Sequence, residues 1–232
     1  MLLIALAVSC LTLGGCAGQK TRSAAPEFNE SMIEAAMSGA AVIAEFKGFG
    51  DITIAASGQR ASGKIDASRR NTGFVSAQVY TSFGSAIATI NAADSIGHAV
   101  VNRQRFDFAY GDSMEDVPFP CARRFTYGEF INTLTGSMPE VFWELGASPD
   151  TLIRSRRRSG VTAVWFSDTL TVRAVIEPRT GQFGTVTFNY DFAGDKFTLR
   201  FGRFRNGAPN EILIRESGRN YISVNYEKMV WK

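Results

Sequence analysis

A two-residue alternation of apolar and polar side chains begins at Phe46 and, apart from one stretch in mid-chain, continues to the C-terminus. In Lys196-Phe197-Thr198-Leu199-Arg200-Phe201 the apolar residues fall on one face and the charged ones on the other, and Leu170-Thr171-Val172-Arg173-Ala174 does the same. Successive side chains of a strand point to opposite faces, so these segments belong to an antiparallel sheet with one wet face and one covered face. Segments 46–56, 59–68, 73–81, 85–92, 94–101 and 104–110 read as strands. They are separated by Ser-Gly, Arg-Arg-Asn-Thr-Gly, Ser-Phe-Gly, Ala-Ala-Asp and Asn-Arg, and such short links predict a meander. Further strands are expected at 151–157, 161–167, 170–177, 183–191, 196–204, 210–216 and 221–230. The 22 Gly and 18 Phe, set against 7 Pro, suit twisted strands joined by tight turns.

Helical spacing interrupts the pattern twice. Phe28, Met32, Ala36, Ala40 and Ile43 recur at three and four residues, and Glu27, Glu30 and Glu34 sit where a helix dipole favours acid. This predicts a helix over Pro26–Glu45, broken only mildly by Gly39. Phe125 to Thr135 returns to helical spacing with Phe130, Ile131 and Leu134 as its apolar patch, and Pro139 to Gly146 adds a short turn. The fold class is mainly β (α+β). It is read as a single strongly curved antiparallel sheet, or unclosed β-barrel, of about 11–13 strands with an N-terminal helix and a mid-chain helical lid.

Met1 to Leu13 is uncharged and apolar, too short for a bilayer span of about 20 residues but long enough for a secretory core. Leu13-Gly14-Gly15-Cys16 resembles the lipobox of bacterial lipoproteins, whose Cys becomes the acylated first residue. On that reading 1–15 is a signal peptide, 16–25 a lipidated Cys16 and polar tether, and 26–232 one domain. No Asp follows Cys16, which points to an outer-membrane anchor with the domain facing the periplasm. Cys10 then leaves with the signal and Cys16 is acylated, so Cys121 stands alone in a Pro-Phe-Pro-Cys loop as an inert thiol.

Chemistry is sparse. No nucleophile elbow, Walker loop, HExxH, CxxC or EF-hand pattern occurs. The one His, His98, lies mid-strand without a sequence-adjacent Asp or Cys, and Asp112, Glu115 and Asp116 fit no cation loop. The net charge of +3 gives no reason to expect nucleic acid. Charge is uneven, −3 over 20–149 and +6 over 150–232, with Arg156-Arg157-Arg158 the densest cluster, which could face anionic headgroups, although a solvated strand end is the commoner meaning of such a run. These features describe a monomeric binding protein, not an enzyme, with neither cofactor nor metal.

The order of lipobox, tether, helix, six strands, helix and further strands resembles the LolA/LolB superfamily of lipoprotein-sorting factors, and most closely its outer-membrane LolB branch. Val79-Tyr80-Thr81-Ser82-Phe83-Gly84-Ser85-Ala86-Ile87-Ala88-Thr89-Ile90-Asn91-Ala92 is similar to that family's strand–loop–strand with a protruding Pro-Leu-Gly tip. Leu134-Thr135-Gly136-Ser137-Met138-Pro139 is similar to its mid-chain helix exit, and Tyr226-Glu227-Lys228-Met229-Val230-Trp231-Lys232 to a LolB C-terminus. The resemblance implies an apolar cavity for lipoprotein acyl chains, a periplasmic LolA-like carrier as donor, and outer-membrane lipid as destination. It also implies a membrane-inserting loop at Ser82, Phe83 and Gly84, with Ser where the family often has Pro and Phe where it has Leu. Inward strand residues Val75, Val79, Ile87, Phe106, Phe108, Leu170, Val172, Phe197, Leu199 and Phe201, with Phe130 and Leu134 on the covering helix, are the candidate cavity wall. Packed and hollow interiors share one hydrophobic pattern. A carrier of free lipid or glycolipid, and a structural envelope lipoprotein with a filled core, therefore stay open beside the sorting role.

Overall fold

A computed structural model of the chain describes residues 30–40, 43–70, 74–117, 120–154, 160–177, 179–192, 195–216 and 219–232. Thirteen strands form one antiparallel sheet. Its first half is β1 (Phe46–Ala56), β2 (Gln59–Arg69), β3 (Val75–Thr81), β4 (Ala86–Ala93), β5 (Ile96–Val101) and β6 (Gln104–Ala109). The second half is β7 (Thr151–Arg154), β8 (Val161–Phe166), β9 (Leu170–Ile176), β10 (Phe183–Phe192), β11 (Asp195–Arg205), β12 (Ala208–Glu216) and β13 (Tyr221–Trp231). The order is β6-β5-β4-β3-β2-β1-β13-β12-β11-β10-β9-β8-β7, so β1 and β13 meet at the centre and β6 and β7 are free edges. The sheet is unclosed, as the alternation predicts.

Local chemistry sets the hairpins. Ser57-Gly58, Asp94-Ser95, Asn102-Arg103 and Asn206-Gly207 each have two successive positive φ angles, the two-residue turn whose twist matches the flanking strands. Short polar residues and glycine tolerate that conformation best. Asp94-Ser95 is therefore turn, and β5 begins at Ile96 rather than at 94.

One row of the inner face runs Ile52, Val224, Ile212, Phe201, Val186, Ala174 and Ala163 from strand to strand, all buried. At the sheet centre Gly48 leaves room for Phe46 and Tyr226 to meet edge to face at 5.0 Å, since a Cβ there would stand 2.5 Å from the Phe46 ring.

The chain between the two free edges, residues 110–150, crosses the concave side. It carries α2 (Tyr127–Leu134) and α3 (Glu140–Glu144), and α1 (Glu30–Ser38) precedes β1. A capping box starts α2: the Thr126 hydroxyl accepts from the Glu129 backbone N–H at 3.2 Å, and the Glu129 carboxylate accepts from the Thr126 N–H at 2.8 Å. Two sheet residues hold α2 and the segment after it by hydrogen bonds. The Tyr226 hydroxyl donates to the Leu134 carbonyl at 2.6 Å, and Arg69 donates to Asn132 Oδ1 at 2.9 Å and Ser137 Oγ at 3.2 Å.

The first helix departs from expectation. Pro26–Asn29 lie outside the described residues, and α1 stops at Ser38 instead of reaching Glu45. Gly39 closes the helix by donating to Ala35 O, and Ala44 and Glu45 turn their N–H groups to the Lys232 carbonyl beside the last strand. A glycine that favours a non-helical conformation, plus a waiting sheet partner, outweighs the three-residue spacing of Ala40 and Ile43. The C-terminal half of the predicted strand 151–157, with Arg156-Arg157-Arg158, lies outside the described residues.

Phe130, 1% exposed, anchors α2 in the half of the core beneath β1–β6. Phe130→Ala is expected to destabilise the fold by about 3–5 kcal/mol, read as a lowered denaturant midpoint with an unchanged slope.

Candidate functional site

The concave side is filled under the first half of the sheet, while under the second half a cavity lies beside the packed core of Phe142, Phe188 and Phe201. Beneath β1 and β3–β5, Ile52, Val79, Ile90, Met114, Phe130 and Leu134 leave a void of only about 20 Å³. Beneath β9–β11 a cavity of about 640 Å³ remains. That is within the roughly 300–1,000 Å³ range of small-molecule sites.

The cavity has two unlike walls. Its floor is the inner face of the sheet, with Leu170 of β9, Tyr190 and Phe192 of β10, and Phe197 and Leu199 of β11. Its roof is the covering segment, where Thr126, Glu129, Asn132, Thr133 and Ser137 face the space beside Phe125, Met138, Pro139 and Val141. Helix α2 thus turns Phe130 and Leu134 to the filled half and its hydroxyls, amide and carboxylate to the cavity. These side chains are too short or too polar to complete an apolar core, which is why the space stays open. Across the cavity the aromatic floor is ordered by ring contacts: Phe125 meets Phe197 at 5.3 Å edge to face, and Tyr190 stacks on Phe192 at 5.8 Å. Burial pushes the Tyr190 phenol up to about 12, and the Glu129 carboxylate adds to the shift, so the hydroxyl is a neutral hydrogen-bonding group at physiological pH.

At the outer end of the cavity Arg124 lies over the Phe192 ring at 5.2 Å and bridges to Asp195 at 2.7 Å. Ser167 and Thr169, in the β8–β9 turn, complete this end. The pairing register places the β1–β2, β3–β4, β5–β6, β8–β9, β10–β11 and β12–β13 hairpins on one rim of the sheet. The cavity therefore reaches the rim from which the β3–β4 tip projects.

That tip carries Phe83, 97% exposed, between exposed Ser82 and Gly84. Its backbone is hydrogen-bonded: Thr81 N–H donates to Ser85 O at 2.8 Å, Gly84 N–H to Thr81 O at 3.0 Å, and the Thr81 hydroxyl accepts from Phe83 N–H and Ser85 N–H. Gly84 takes φ +83, which a side chain there would strain. The tip holds its phenyl ring in water. A buried Phe is stabilised by about 1.5–3 kcal/mol relative to an exposed one, so the position forgoes that gain.

The candidate wall residues distribute unevenly. Leu170, Phe197 and Leu199 line the cavity, and Val79, Phe130 and Leu134 line the small void. Val75, Phe108, Val172 and Phe201 are buried in packed core, while Phe106 is half-buried on the edge strand β6. Ile87 is the extra residue of a bulge opposite Val79 and Tyr80, and is half-buried. Sequence reasoning misses Arg124, Phe125, Met138, Pro139, Val141, Tyr190 and Phe192. The available signal was the polar side of the 125–135 helix, whose Asn132 and Thr133 should have been water-facing and instead look inward.

His98 gains a neighbour that the linear sequence hides, because β5–β6 pairing sets it opposite Asp107. Asp107 is bridged by Arg105 at 2.7 Å. Among the described residues no three His, Cys, Asp or Glu side chains form a metal cluster, and no helix is long and apolar enough to cross a membrane. Cys121 is buried and free. Burial pushes its thiol up to about 12, with the Glu216 carboxylate adding to the shift against a backbone hydrogen bond from Glu216 and the charge of Arg123. The protonated thiol is a poor nucleophile. Iodoacetamide is therefore expected to label Cys121 quickly in denaturant and hardly at all in the native protein at pH 7.

No protein-family model and no curated protein matches the sequence. Among solved structures, a LolA superfamily protein from Nitrosomonas europaea superposes with a TM-score of 0.51 over 88% of this chain and 93% of its own, at 12% identity. The chain has the LolA-like fold. A domain from Vibrio parahaemolyticus assigned to outer-membrane lipoprotein sorting covers 88% of this chain and 92% of its own, with a TM-score of 0.48 and 8% identity.

Proposed function

We propose that this chain is a LolB-like envelope lipoprotein that accepts acylated lipoproteins in its cavity and releases them into the outer membrane. The observation that carries the reading is the two-walled cavity of about 640 Å³, reaching the same rim as Phe83. An acyl chain suits the Leu170, Phe197 and Leu199 floor, and the amide or ester at its head suits the hydroxyl and amide groups of the roof. The LolA-like fold agrees with this use, and no step needs covalent chemistry, a nucleotide or a metal.

In this reading residues 1–15 are a signal peptide, Cys16 carries the acyl anchor, 16–25 tether the domain, and a periplasmic LolA-like carrier delivers the cargo. Each buried methylene contributes about 0.8 kcal/mol, so several chains on Cys16 hold the protein at the membrane. Cargo moves toward the site of higher affinity, and a protein fixed on the membrane hands it over when Phe83 enters the interface.

A photo-reactive residue at Leu170, inside the cavity, is expected to capture the acylated N-termini of lipoproteins in cells, whereas one at exposed Val175 on the convex face is not. Capture of free phospholipid or glycolipid alone at position 170 would instead assign a lipid carrier. Equal capture at both positions would overturn the cavity as the ligand site.

A further inference from the structure

We infer that the rim around Phe83 is a docking surface for anionic phospholipid, in which arginines on the flanking hairpins engage headgroup phosphates while the phenyl ring enters the bilayer. The inference deepens the proposed role of Phe83 and rests on it.

The β3–β4 tip has one hairpin on each side. On the β2 side, Gly63 pairs with Thr81, so Arg60 stands three residues further out, level with the tip. On the β5 side, Ala88 pairs with Val101, so Arg103 in the following turn stands level with Ala86, at the base of the tip. Both arginines are exposed, and Arg103 takes a left-handed backbone in its turn, φ 69. The arc continues through Ser57, whose N–H donates to Asn220 Oδ1 at 3.1 Å, to exposed Arg219 on the β12–β13 loop. Among the described residues neither Arg60, Arg103 nor Arg219 takes part in an ion pair.

Acid is missing from this arc. Residues 53–63, 81–91, 100–106 and 219–224 contain no Asp or Glu. The acids elsewhere on the rim are Asp107, bridged to Arg105; Asp195, bridged to Arg124; Glu216, bridged to Arg123; and Asp150, Asp168 and Asp191, which belong to the β7–β10 side away from Phe83. An exposed aromatic tip between unpaired guanidinium groups matches an anionic bilayer surface in both respects: the ring suits the interface, and planar guanidinium suits phosphate. A neutral bilayer would use the ring alone, and an acidic protein would leave it in water.

The test uses residues 17–232, which contain every described residue, so that no acyl anchor contributes. Binding is measured to phosphatidylethanolamine/phosphatidylcholine vesicles with and without phosphatidylglycerol. Arginines near an anionic surface each contribute about fivefold in affinity, so Arg60→Gln/Arg103→Gln is expected to weaken binding to anionic vesicles about 25-fold. About 1 M salt, with a Debye length of about 3 Å, should do the same to the native chain. Both arginines are exposed, so the fold is checked only by an unchanged melting curve. Equal, Phe83-dependent binding to neutral and anionic vesicles would overturn the inference and leave the role of the tip standing. Absence of binding to either, or binding unaffected by Phe83→Ala, would overturn both.

Discussion

Leu170→Trp/Leu199→Trp is expected to abolish capture of acylated ligand while leaving the protein folded. Leu170 is half-buried and Leu199 buried, and both border the cavity floor, so each indole has open volume on one side. Overpacking of a filled core costs about 1–3 kcal/mol, and here the added volume has somewhere to go. If the indoles displace as few as four methylenes of a bound chain, affinity falls by about 3 kcal/mol, or about two-hundredfold. Titration with a fluorescent fatty-acyl peptide reads the loss, and a thermal melt reads the fold. Unchanged affinity in a folded variant would place the ligand elsewhere.

Phe83→Glu is expected to separate binding from release. At 97% exposure the ring supports nothing in the folded domain, so stability should stay within about 0.5 kcal/mol of the native value. Ligand affinity should also be unchanged, since Phe83 does not line the cavity. Transfer to vesicles should drop by about one to two orders of magnitude, because an inserting phenyl contributing about 1.5–3 kcal/mol is replaced by a charge. Cells relying on this variant for lipoprotein sorting should accumulate cargo in the periplasm. Normal sorting would remove the tip from the mechanism.

The strands were legible because their side chains carry the sheet's own period. The inner row Ile52, Val224, Ile212, Phe201, Val186 and Ala174 is apolar at every step, and a one-residue slip would put each of them in water. The turn at Ser82-Phe83-Gly84 was legible, but a phenyl ring folded back onto the sheet fits the same residues, and only the structure shows Phe83 97% exposed. The hollow was not legible. Leu134 and Leu199 read alike in a sequence, yet one fills a packed half of the core and the other borders open space. What separates them is the rotation of α2 about its axis, set by long-range contacts such as Tyr226 to Leu134 and Arg69 to Asn132 and Ser137. No local spacing encodes those partners. The extent of α1 was missed because the Lys232 carbonyl, at the far end of the chain, is the acceptor for Ala44 and Glu45.

Native mass spectrometry of residues 17–232, secreted to and purified from the periplasm of the source cell, addresses the central claim directly. A cavity that accepts lipoproteins should yield a complex whose added mass is that of an acylated lipoprotein, and Leu170→Trp/Leu199→Trp should yield bare protein from the same preparation. A native chain that emerges bare under conditions that preserve such complexes, or that carries the same added mass in the tryptophan variant, would contradict the account.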